Sequence, residues 1–400
     1  MDMKNLNEFI IDWSGRALDY SKDDIAAVVD SMKNSDPLTQ GKYLKTFESD
    51  FSKYLGTSNT FAVSNCTNAL HIIAQLCNLK KGDEVIIPAH TFCATAIPFG
   101  SIGAKIKWAD IDPDTFLISP DSIRKLITKK TRVIVPVHLY GLMADMDNIM
   151  EIAREHNCLV VEDAAQALGA ELNGKKAGTI GDFGAYSFHG QKHITTFGEG
   201  GAFTVKSDES AKLVPGLRHN GIRPFASQEN YWTPAMSNVD LDIEGVWPYN
   251  YCLGEPPCAL ASSLLKQLDS MNKIRSERAK KFKDALADYP ELQFQLVPPN
   301  RKHAYHLLPA RFTSKTGTSH DFIKLMAFKY KIKIIVQYYP LYRYPLFKKM
   351  GFGVAKCPNT DKFFDNMVSF PFHLWMNEQN FDYMIESTIK SIQTIRKKEH

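Results

Sequence analysis

The stretch LVVEDAAQ at residues 159–166 decides the fold class, because an apolar run there ends abruptly in two acidic residues. Such near-continuous apolar runs are typical of strands that helices cover on both faces. Comparable runs predict strands at Thr60–Val63, Glu84–Pro88, Lys105–Ile111, Arg132–His138 and Leu159–Glu162. Helical periodicity between them predicts helices at Asn68–Leu76, Ser122–Ile127 and Met146–His156. Repeated alternation of strand and helix predicts an α/β fold with a mostly parallel central sheet.

The sequence pattern changes after about residue 258. Ala259–Leu286 is predicted to form one long helix, and Ile332–Tyr338 is predicted to form a strand. We therefore expect a large domain at residues 1–258, whose N-terminal segment can pack on a smaller α+β domain at 259–400. Residues 220–250 lack periodicity, and five aromatic residues in or directly after this stretch favour a functional loop: Tyr231, Trp232, Trp247, Tyr249 and Tyr251.

The overall composition excludes several classes of protein. The chain is 44% hydrophobic and 23% charged, with a net charge of +4 and its only dense basic run at 396–398, so no nucleic-acid partner is expected. Its seven cysteines are odd in number and form no Cys-x-x-Cys pair, which predicts reduced thiols and no metal site. No apolar run approaches the roughly 20 residues of a membrane span, and the N-terminus lacks an apolar signal region. We expect a cytoplasmic protein without a membrane partner.

Three clusters of polar residues follow predicted strands, where ligands bind in open α/β sheets. The first, Ser64–Asn68, combines hydroxyl and amide groups with a helix N-terminus, which attracts phosphate. The alternative for this cluster is a simple helix cap by Thr67. The second cluster places Asp163 at a strand end, where a carboxylate can cap a helix, bind a metal or pair with a pyridine nitrogen.

The third cluster is Ser187–Lys192, which is followed by a glycine-rich turn at Gly198–Gly201. A lysine in a turn is ordinarily a solvated surface residue. A lysine that is held tightly and desolvated instead becomes a nucleophile toward aldehydes, because its pKa falls. The order of phosphate site, carboxylate and lysine along the chain favours this second interpretation of Lys192.

These motifs resemble the DegT/StrS-type sugar aminotransferases, which depend on pyridoxal 5′-phosphate (PLP). The resemblance extends from Ser35–Gly41 to Ser369–Phe372 and includes four matching stretches, at His138–Gly141, Glu162–Gln166, Ser187–Lys192 and Gly198–Gly201. It implies PLP fold type I, which is the fold of aspartate aminotransferase.

The resemblance also implies roles for individual residues around the cofactor ring. Lys192 matches the lysine that binds PLP covalently, and Asp163 matches the partner of the pyridine nitrogen. Gln166 matches a neighbouring cofactor contact. Phe92 matches the aromatic ring that stacks on the cofactor, with core packing as the alternative role for this side chain.

Further matches concern the cofactor phosphate and the assembly. Thr67, Asn68 and Ser187 match residues that bind the phosphate. Asn250 resembles an asparagine that reaches the phosphate of a neighbouring subunit, which implies a homodimer with shared active sites.

The sequence departs from the family pattern at several positions. Cys252 stands where an arginine is frequent, and Gln337 stands where a histidine is frequent. One extra residue separates Lys192 from Gly198, so counting back from the glycine turn puts His193 in the catalytic place. A sister group resembling GDP-4-keto-6-deoxymannose 3-dehydratase has histidine there and removes a hydroxyl group. The strand before Lys192 determines its position more firmly than the turn after it, which favours the lysine.

Four stretches resemble one branch of the family most, at 12–15, 35–41, 218–221 and 250–255. That branch transfers an amino group from glutamate to 8-dehydro-Kdo and yields 8-amino-3,8-dideoxy-manno-octulosonate for lipopolysaccharide. An acidic sugar needs a cation, and Arg218, His219 and Arg223 are the candidates. Three alternatives remain: an aminotransferase of a nucleotide-linked 4-keto or 3-keto 6-deoxy sugar, a 3-dehydratase using His193, and a non-catalytic PLP-binding regulator.

Overall fold

The computed structural model describes residues 8–223 and 238–397, so Tyr231 and Trp232 lie outside the described residues. Fifteen strands occur within those ranges: β1 Thr60–Val63, β2 Glu84–Pro88, β3 Lys105–Ala109, β4 Thr131–Ile134, β5 Leu159–Asp163, β6 Glu171–Leu172, β7 Lys175–Lys176, β8 Phe183–Ser187, β9 Gly201–Val205, β10 Ile222–Arg223, β11 Asn238–Val239, β12 Leu292–Phe294, β13 Arg301–Lys302, β14 Leu308–Phe312 and β15 Met367–Phe370.

Thirteen α-helices occur in the same described ranges, accompanied by short 3₁₀ turns and one π-turn: α1 Lys22–Asn34, α2 Lys42–Leu55, α3 Cys66–Leu76, α4 Ile97–Ser101, α5 Pro120–Leu126, α6 Met146–Glu155, α7 Asp208–Arg218, α8 Glu255–Leu265, α9 Leu268–Ala285, α10 Ser319–Lys324, α11 Pro345–Lys349, α12 Pro358–Asn366 and α13 Glu378–Arg396. Many begin at a side-chain cap; Asp145, for example, caps α6 by accepting from the Asn148 N–H group.

A seven-stranded sheet in the order β1-β9-β8-β5-β4-β2-β3 forms the centre of the molecule. The strands from β8 to β3 are parallel, and β9 pairs antiparallel with both β1 and β8. Alternate residues enter separate cores: Ile86 and Val160 face one layer of helices, whereas Val85 and Val161 face the other. The prediction of an α/β fold with a mostly parallel central sheet is therefore confirmed.

A second, three-stranded antiparallel sheet in the order β12-β14-β15 lies in the C-terminal part. It packs with α9 and α13 around a core that includes Phe282, Phe322 and Phe370. The N-terminal segment reaches this region, because Ile10 and Ile11 donate backbone hydrogen bonds to the Lys331 carbonyl. Ile332–Tyr338 does not form the predicted strand. Its pairing consists of isolated bridges at 332 and 335. The segment crosses from the small sheet toward a cleft that Lys192 also lines.

The predicted helix Ala259–Leu286 is two helices, and the prediction of one was wrong. The chain breaks between Leu265 and Leu268. The apolar spacing continues through the break, but α8 packs in the core of the central sheet, whereas the later part of α9 packs at Phe282 in the core of the small sheet. Residue 258 also lies inside α8, so we propose a domain boundary within α9 in place of one at 258.

Between residues 8 and 397, leaving out 224–237, there is no helix with the length and apolar character needed to cross a membrane. The same residues contain no group of three or more His, Cys, Asp or Glu side chains arranged to bind a metal ion. All seven cysteines are free thiols.

Candidate active site

Asp163 ends β5 at the carboxyl edge of the parallel strands. Its side chain accepts hydrogen bonds from the Thr95 hydroxyl at 2.7 Å and from the Ala165 N–H group at 3.1 Å. Only 5% of Asp163 is exposed, and this burial raises the pKa of its carboxyl group. Within the described ranges no ion pair neutralises it. The site therefore holds a buried carboxylate whose ionised form a cationic partner would stabilise.

Lys192 lies in the turn that follows β8, where its N–H group donates to the His189 carbonyl at 2.8 Å. Burial lowers the pKa of its amine, whereas the nearby Asp163 carboxylate and Cys66 thiol act in the opposite direction. The Asp163 carboxyl group is therefore near enough to influence the pKa of the Lys192 amine. A lysine with a lowered pKa supplies the neutral amine that a nucleophile or a general base requires.

A cleft, which we call the lysine cleft, opens beside Lys192. It is lined by residues from the N-terminal segment, the lysine turn and the C-terminal part of the chain: Trp13, Ser14, Arg16, Ala17, Gln191, Lys192, His306, Leu307, Gln337, Tyr338, Phe372 and His373. Lys192 thus lies where a ligand could enter.

The lysine turn is held from two directions. Gly190 pairs with Gly198 across the turn at 3.1 Å, and the N-terminal segment adds a bond from the Ala17 N–H group to the Gly190 carbonyl at 3.0 Å. The next residue, His193, does not line the cleft and bonds to the Ala304 carbonyl through Nε2 at 3.1 Å. Burial lowers the pKa of His193 to about 3. This geometry favours Lys192 over His193 as the group that meets a ligand.

The first polar cluster lies at the N-terminus of α3. Asn65 caps this helix by accepting from the Asn68 N–H group at 2.9 Å, so the alternative of a cap by Thr67 was wrong. The Thr67 hydroxyl has no hydrogen-bond partner among the described residues, and the Asn68 amide donates to Ser64 at 2.8 Å. Helix α3 therefore presents an unpaired hydroxyl and free N–H groups in its first turn, as an anion site requires.

Gly201 begins β9 directly behind this turn. A Cβ atom there would lie 2.5 Å from the Asn65 carbonyl carbon and 2.6 Å from the Cys66 nitrogen. Only a residue without a side chain lets the strand approach the helix N-terminus so closely. Ser187, which pairs with Gly201 at the end of β8, accepts a hydrogen bond from the His189 N–H group at 3.3 Å. The glycine and this serine thus hold the lysine turn against the anion site.

Phe92 is 54% exposed and touches Tyr338 edge to face, with ring centroids 6.0 Å apart. The alternative of core packing was therefore wrong, and one face of the ring is available to a ligand. Gln166 is buried and connects two aromatic residues. Its oxygen accepts from the Tyr140 N–H group, and its nitrogen donates to the Tyr338 hydroxyl, both at 2.8 Å. Gln166 thereby positions Tyr338 in the lysine cleft.

Asn250 is exposed, and its side chain accepts from the Cys252 N–H group at 3.1 Å. It lies on an exposed aromatic segment, in which Trp247 is 79% exposed and Tyr249 is 49% exposed. None of these residues lines the lysine cleft.

The predicted substrate cations do not line the lysine cleft. Arg218 is 6% exposed and forms an ion pair with Glu48, because the fold brings α2 beside the end of α7. Arg223 forms ion pairs with Asp240 and Asp242 across the hairpin of β10 and β11. His219 caps the end of α7 and takes part in a backbone bridge to residue 250. The charges of both arginines are thus already compensated within the chain.

Several residues of the site have no local sequence motif that identifies them. Thr95, Arg16, His306 and Tyr338 are separated from Lys192 by about one hundred residues or more, so no local pattern connects them. Trp13 and Ser14 were noted only for their resemblance to one branch of the family. Both residues line the lysine cleft.

The residues present fit PLP. An unneutralised buried carboxylate suits a protonated pyridine nitrogen, the first turn of α3 suits a phosphate, and the exposed face of Phe92 suits a flat ring. Lys192 supplies an amine with a lowered pKa for an aldehyde carbon. These are four separate requirements, and described residues of the chain suit each of them.

Comparison with known proteins agrees with this assignment. Residues 19–388 match the model of the DegT/DnrJ/EryC1/StrS aminotransferase family. GDP-perosamine synthase of Caulobacter vibrioides is 34% identical over 70% of this chain and 72% of its own, and the pleiotropic regulatory protein of Geobacillus stearothermophilus is 32% identical over 91% and 93%. A putative sugar aminotransferase of Streptococcus pneumoniae, solved in its PMP form, superposes with a TM-score of 0.86 at 26% identity and covers 96% of this chain and 100% of its own. The chain belongs to the DegT/DnrJ/EryC1/StrS family and is a PLP-dependent sugar aminotransferase.

Proposed function

We propose that the protein transfers an amino group from glutamate to a keto sugar, with Lys192 as its covalent cofactor residue and catalytic base. The observation that supports this most is the Lys192 amine, which lies at the lysine cleft and interacts with the buried Asp163 carboxylate. When bound, PLP supplies the electron sink that makes the α-proton of an amino acid removable.

Residues of the chain would bind and orient the cofactor and move the proton. Asp163 would hold the ring nitrogen protonated, and Thr95 orients that carboxylate by donating to it. Thr67 and the first turn of α3 would hold the phosphate, together with Asn68 and Ser187. Phe92 would hold the ring flat, and Gln166 keeps Tyr338 beside it. Lys192 Nζ would then remove the proton from the α-carbon of glutamate, and the lowering of its pKa by burial favours the neutral amine that this step needs.

We infer that the acceptor is 8-dehydro-Kdo and that the product serves lipopolysaccharide synthesis. The support is the family-branch resemblance at residues 12–15, since Trp13 and Ser14 line the lysine cleft. Arg16 also lines the lysine cleft and pairs with the exposed Asp19. We therefore prefer it as the candidate cation for the sugar carboxylate, in place of Arg218, His219 and Arg223. A nucleotide-linked 4-keto or 3-keto 6-deoxy sugar is the alternative acceptor, and the relationship to GDP-perosamine synthase favours it.

We also propose a homodimer in which Asn250 reaches the phosphate site of the second subunit. The support is the exposure of Asn250, Trp247 and Tyr249 on one segment, as expected for a surface that a partner covers.

Two other functions make different predictions. A 3-dehydratase would use His193 as its base, whereas His193 bonds to a backbone carbonyl away from the cleft lining. A non-catalytic regulator would resemble the pleiotropic regulatory protein, but such a protein has no need of both Lys192 and Asp163.

The decisive experiment adds glutamate to the PLP-loaded enzyme and then adds 8-dehydro-Kdo or a nucleotide-linked keto sugar. We expect glutamate to convert the cofactor absorbance to that of the amine form, and 8-dehydro-Kdo to restore it with formation of the 8-amino sugar. No change with glutamate would contradict the transferase. If only the nucleotide-linked sugar restored the absorbance of the PLP form, that sugar would be the acceptor in place of 8-dehydro-Kdo.

A further inference from the structure

His306 is a buried polar residue of the lysine cleft to which no role has been given so far. It is 4% exposed and lines the cleft beside Lys192 and Tyr338. No described residue forms a hydrogen bond with either ring nitrogen, and Nδ1 is completely covered without a partner. Nε2 is not covered in this way, so it is the ring nitrogen that remains free to pair with a ligand in the cleft.

The fold holds His306 in this place from both sides. Its N–H group donates to the Tyr140 carbonyl at 2.9 Å, and the Ala304 N–H group donates to the Gly141 carbonyl at 2.8 Å. Gly141 has φ of +109°, and a Cβ atom there would lie 2.9 Å from the His306 nitrogen. On the other side, the His306 ring packs on His193 at a centroid distance of 5.4 Å. The backbone is thus fixed, whereas the ring nitrogens are left unbonded.

The electrostatic surroundings determine the form of this imidazole. Burial, followed by the charges of Lys192, His193 and Arg275, holds the pKa of His306 well below 6.5. His306 is therefore neutral at neutral pH and offers one N–H donor and one nitrogen acceptor. Because Nδ1 is covered, the ring can meet a ligand in the cleft only through Nε2. A hydroxyl group can pair with Nε2 in either tautomer, because it both donates and accepts. Glutamate has no hydroxyl group, whereas a keto sugar carries several.

We propose that His306 binds a hydroxyl group of the keto sugar next to the reacting carbonyl and thereby contributes to acceptor specificity. This inference rests on the proposed function. It predicts that His306 acts in the sugar half-reaction and not in the glutamate half-reaction, although Lys192 serves both.

The test measures the two half-reactions separately by cofactor absorbance in single turnovers. The probes are L-glutamate and, in the reverse direction, 8-amino-3,8-dideoxy-manno-octulosonate. For His306→Leu we expect a glutamate rate within about threefold of wild type and an amino-sugar kcat/KM lower by roughly 10- to 100-fold, as for the loss of a buried hydrogen bond. His306→Gln retains a donor and an acceptor and should recover part of that loss.

His303→Gln provides the matched control. His303 is buried in the same segment, but both ring nitrogens already have partners, Gln295 and the Tyr305 N–H group, and it does not line the lysine cleft. We expect this variant to lose thermal stability without a selective loss in the sugar half-reaction. Equal losses in both half-reactions for His306→Leu would overturn the inference.

A second measurement does not depend on turnover or on the folding of the leucine variant. In wild-type enzyme labelled with ¹⁵N-histidine, the His306 ring resonances, assigned through His306→Gln, should shift on addition of the amino sugar and not on addition of glutamate. Unshifted resonances at a saturating amino-sugar concentration would contradict the inference. A wild-type enzyme inactive with both probes would overturn the proposed function itself, whereas normal wild-type turnover with an unaffected His306→Leu would overturn the His306 inference alone.

Discussion

Gly201→Ala should weaken cofactor binding, although residue 201 has no side chain that could touch a ligand. The added methyl group would lie 2.5 Å from the Asn65 carbonyl carbon, 2.6 Å from the Cys66 nitrogen and 2.8 Å from the Tyr186 carbonyl oxygen. All three are backbone atoms, so no side-chain rotation relieves the contacts. Either β9 or the first turn of α3 must move.

The expected magnitude follows from the cost of overpacking a close-packed interior, about 1–3 kcal/mol. Because the displaced turn contains Thr67 and Asn68, we expect the strain to appear at the phosphate site as well as in the free energy of unfolding. A loss of this size corresponds to a rise in the Kd for PLP of roughly 5- to 150-fold.

The assay is a titration of the apoenzyme with PLP, followed by absorbance, with thermal unfolding of the apoenzyme measured in parallel. Gly100→Ala is the matched control, because a Cβ atom there meets only the edge of Phe352 at 3.8 Å. We expect the control to bind PLP as wild type does. A wild-type Kd for Gly201→Ala would refute the argument that strand β9 determines the position of the phosphate turn.

Three further predictions concern buried ionisable side chains. Asp163→Asn should retain PLP but slow the glutamate half-reaction on the order of 10²- to 10³-fold, since a buried charge pair is worth about 3–5 kcal/mol; a single-turnover rate equal to wild type would contradict this. Glu162→Gln should lower the free energy of unfolding by about 3–5 kcal/mol, because this fully buried carboxylate accepts from one imidazole and three backbone N–H groups; an unchanged denaturation midpoint would argue against it. Burial lowers the pKa of both His90 and His193 to about 3, so they stay neutral in the folded protein while the unfolded chain takes up protons below pH 6.5. The free energy of unfolding should therefore fall between pH 6.5 and 3, by up to about 1.4 kcal/mol per pH unit for each histidine, and a flat profile in urea titrations would be inconsistent with neutral burial.

The central sheet could be predicted from the sequence because its strands are buried on both faces. Thr60–Val63 and Glu84–Pro88 form strands at the predicted bounds, whereas strand β4 within the predicted run from Arg132 to His138 ends at Ile134. Beyond Ile134 the chain stays beside the sheet, because the Val135 N–H group donates to the Ile86 carbonyl and Val137 forms an isolated bridge to Asp163. Apolar character indicates burial, and it does not indicate where pairing stops.

The candidate site was predictable only where its residues lie in local motifs. Lys192 and Asp163 each follow an apolar strand, and that local context suggested their chemistry. The partner of Arg218 could not be predicted from the sequence because Glu48 lies 170 residues away, and only the fold shows that the charge of this arginine is compensated. His306 was missed for the converse reason, since its unpaired nitrogens become evident only when the surrounding elements are in place.

The most direct test of the account is to identify the residue that carries the cofactor. PLP-loaded enzyme would be reduced with borohydride, digested and analysed by mass spectrometry, with Lys192→Ala as the control. We predict a pyridoxyl phosphate group on Lys192 of the wild-type chain and no label in the control. Label on another lysine of the wild-type protein, or an unchanged amount of label in Lys192→Ala, would contradict the account.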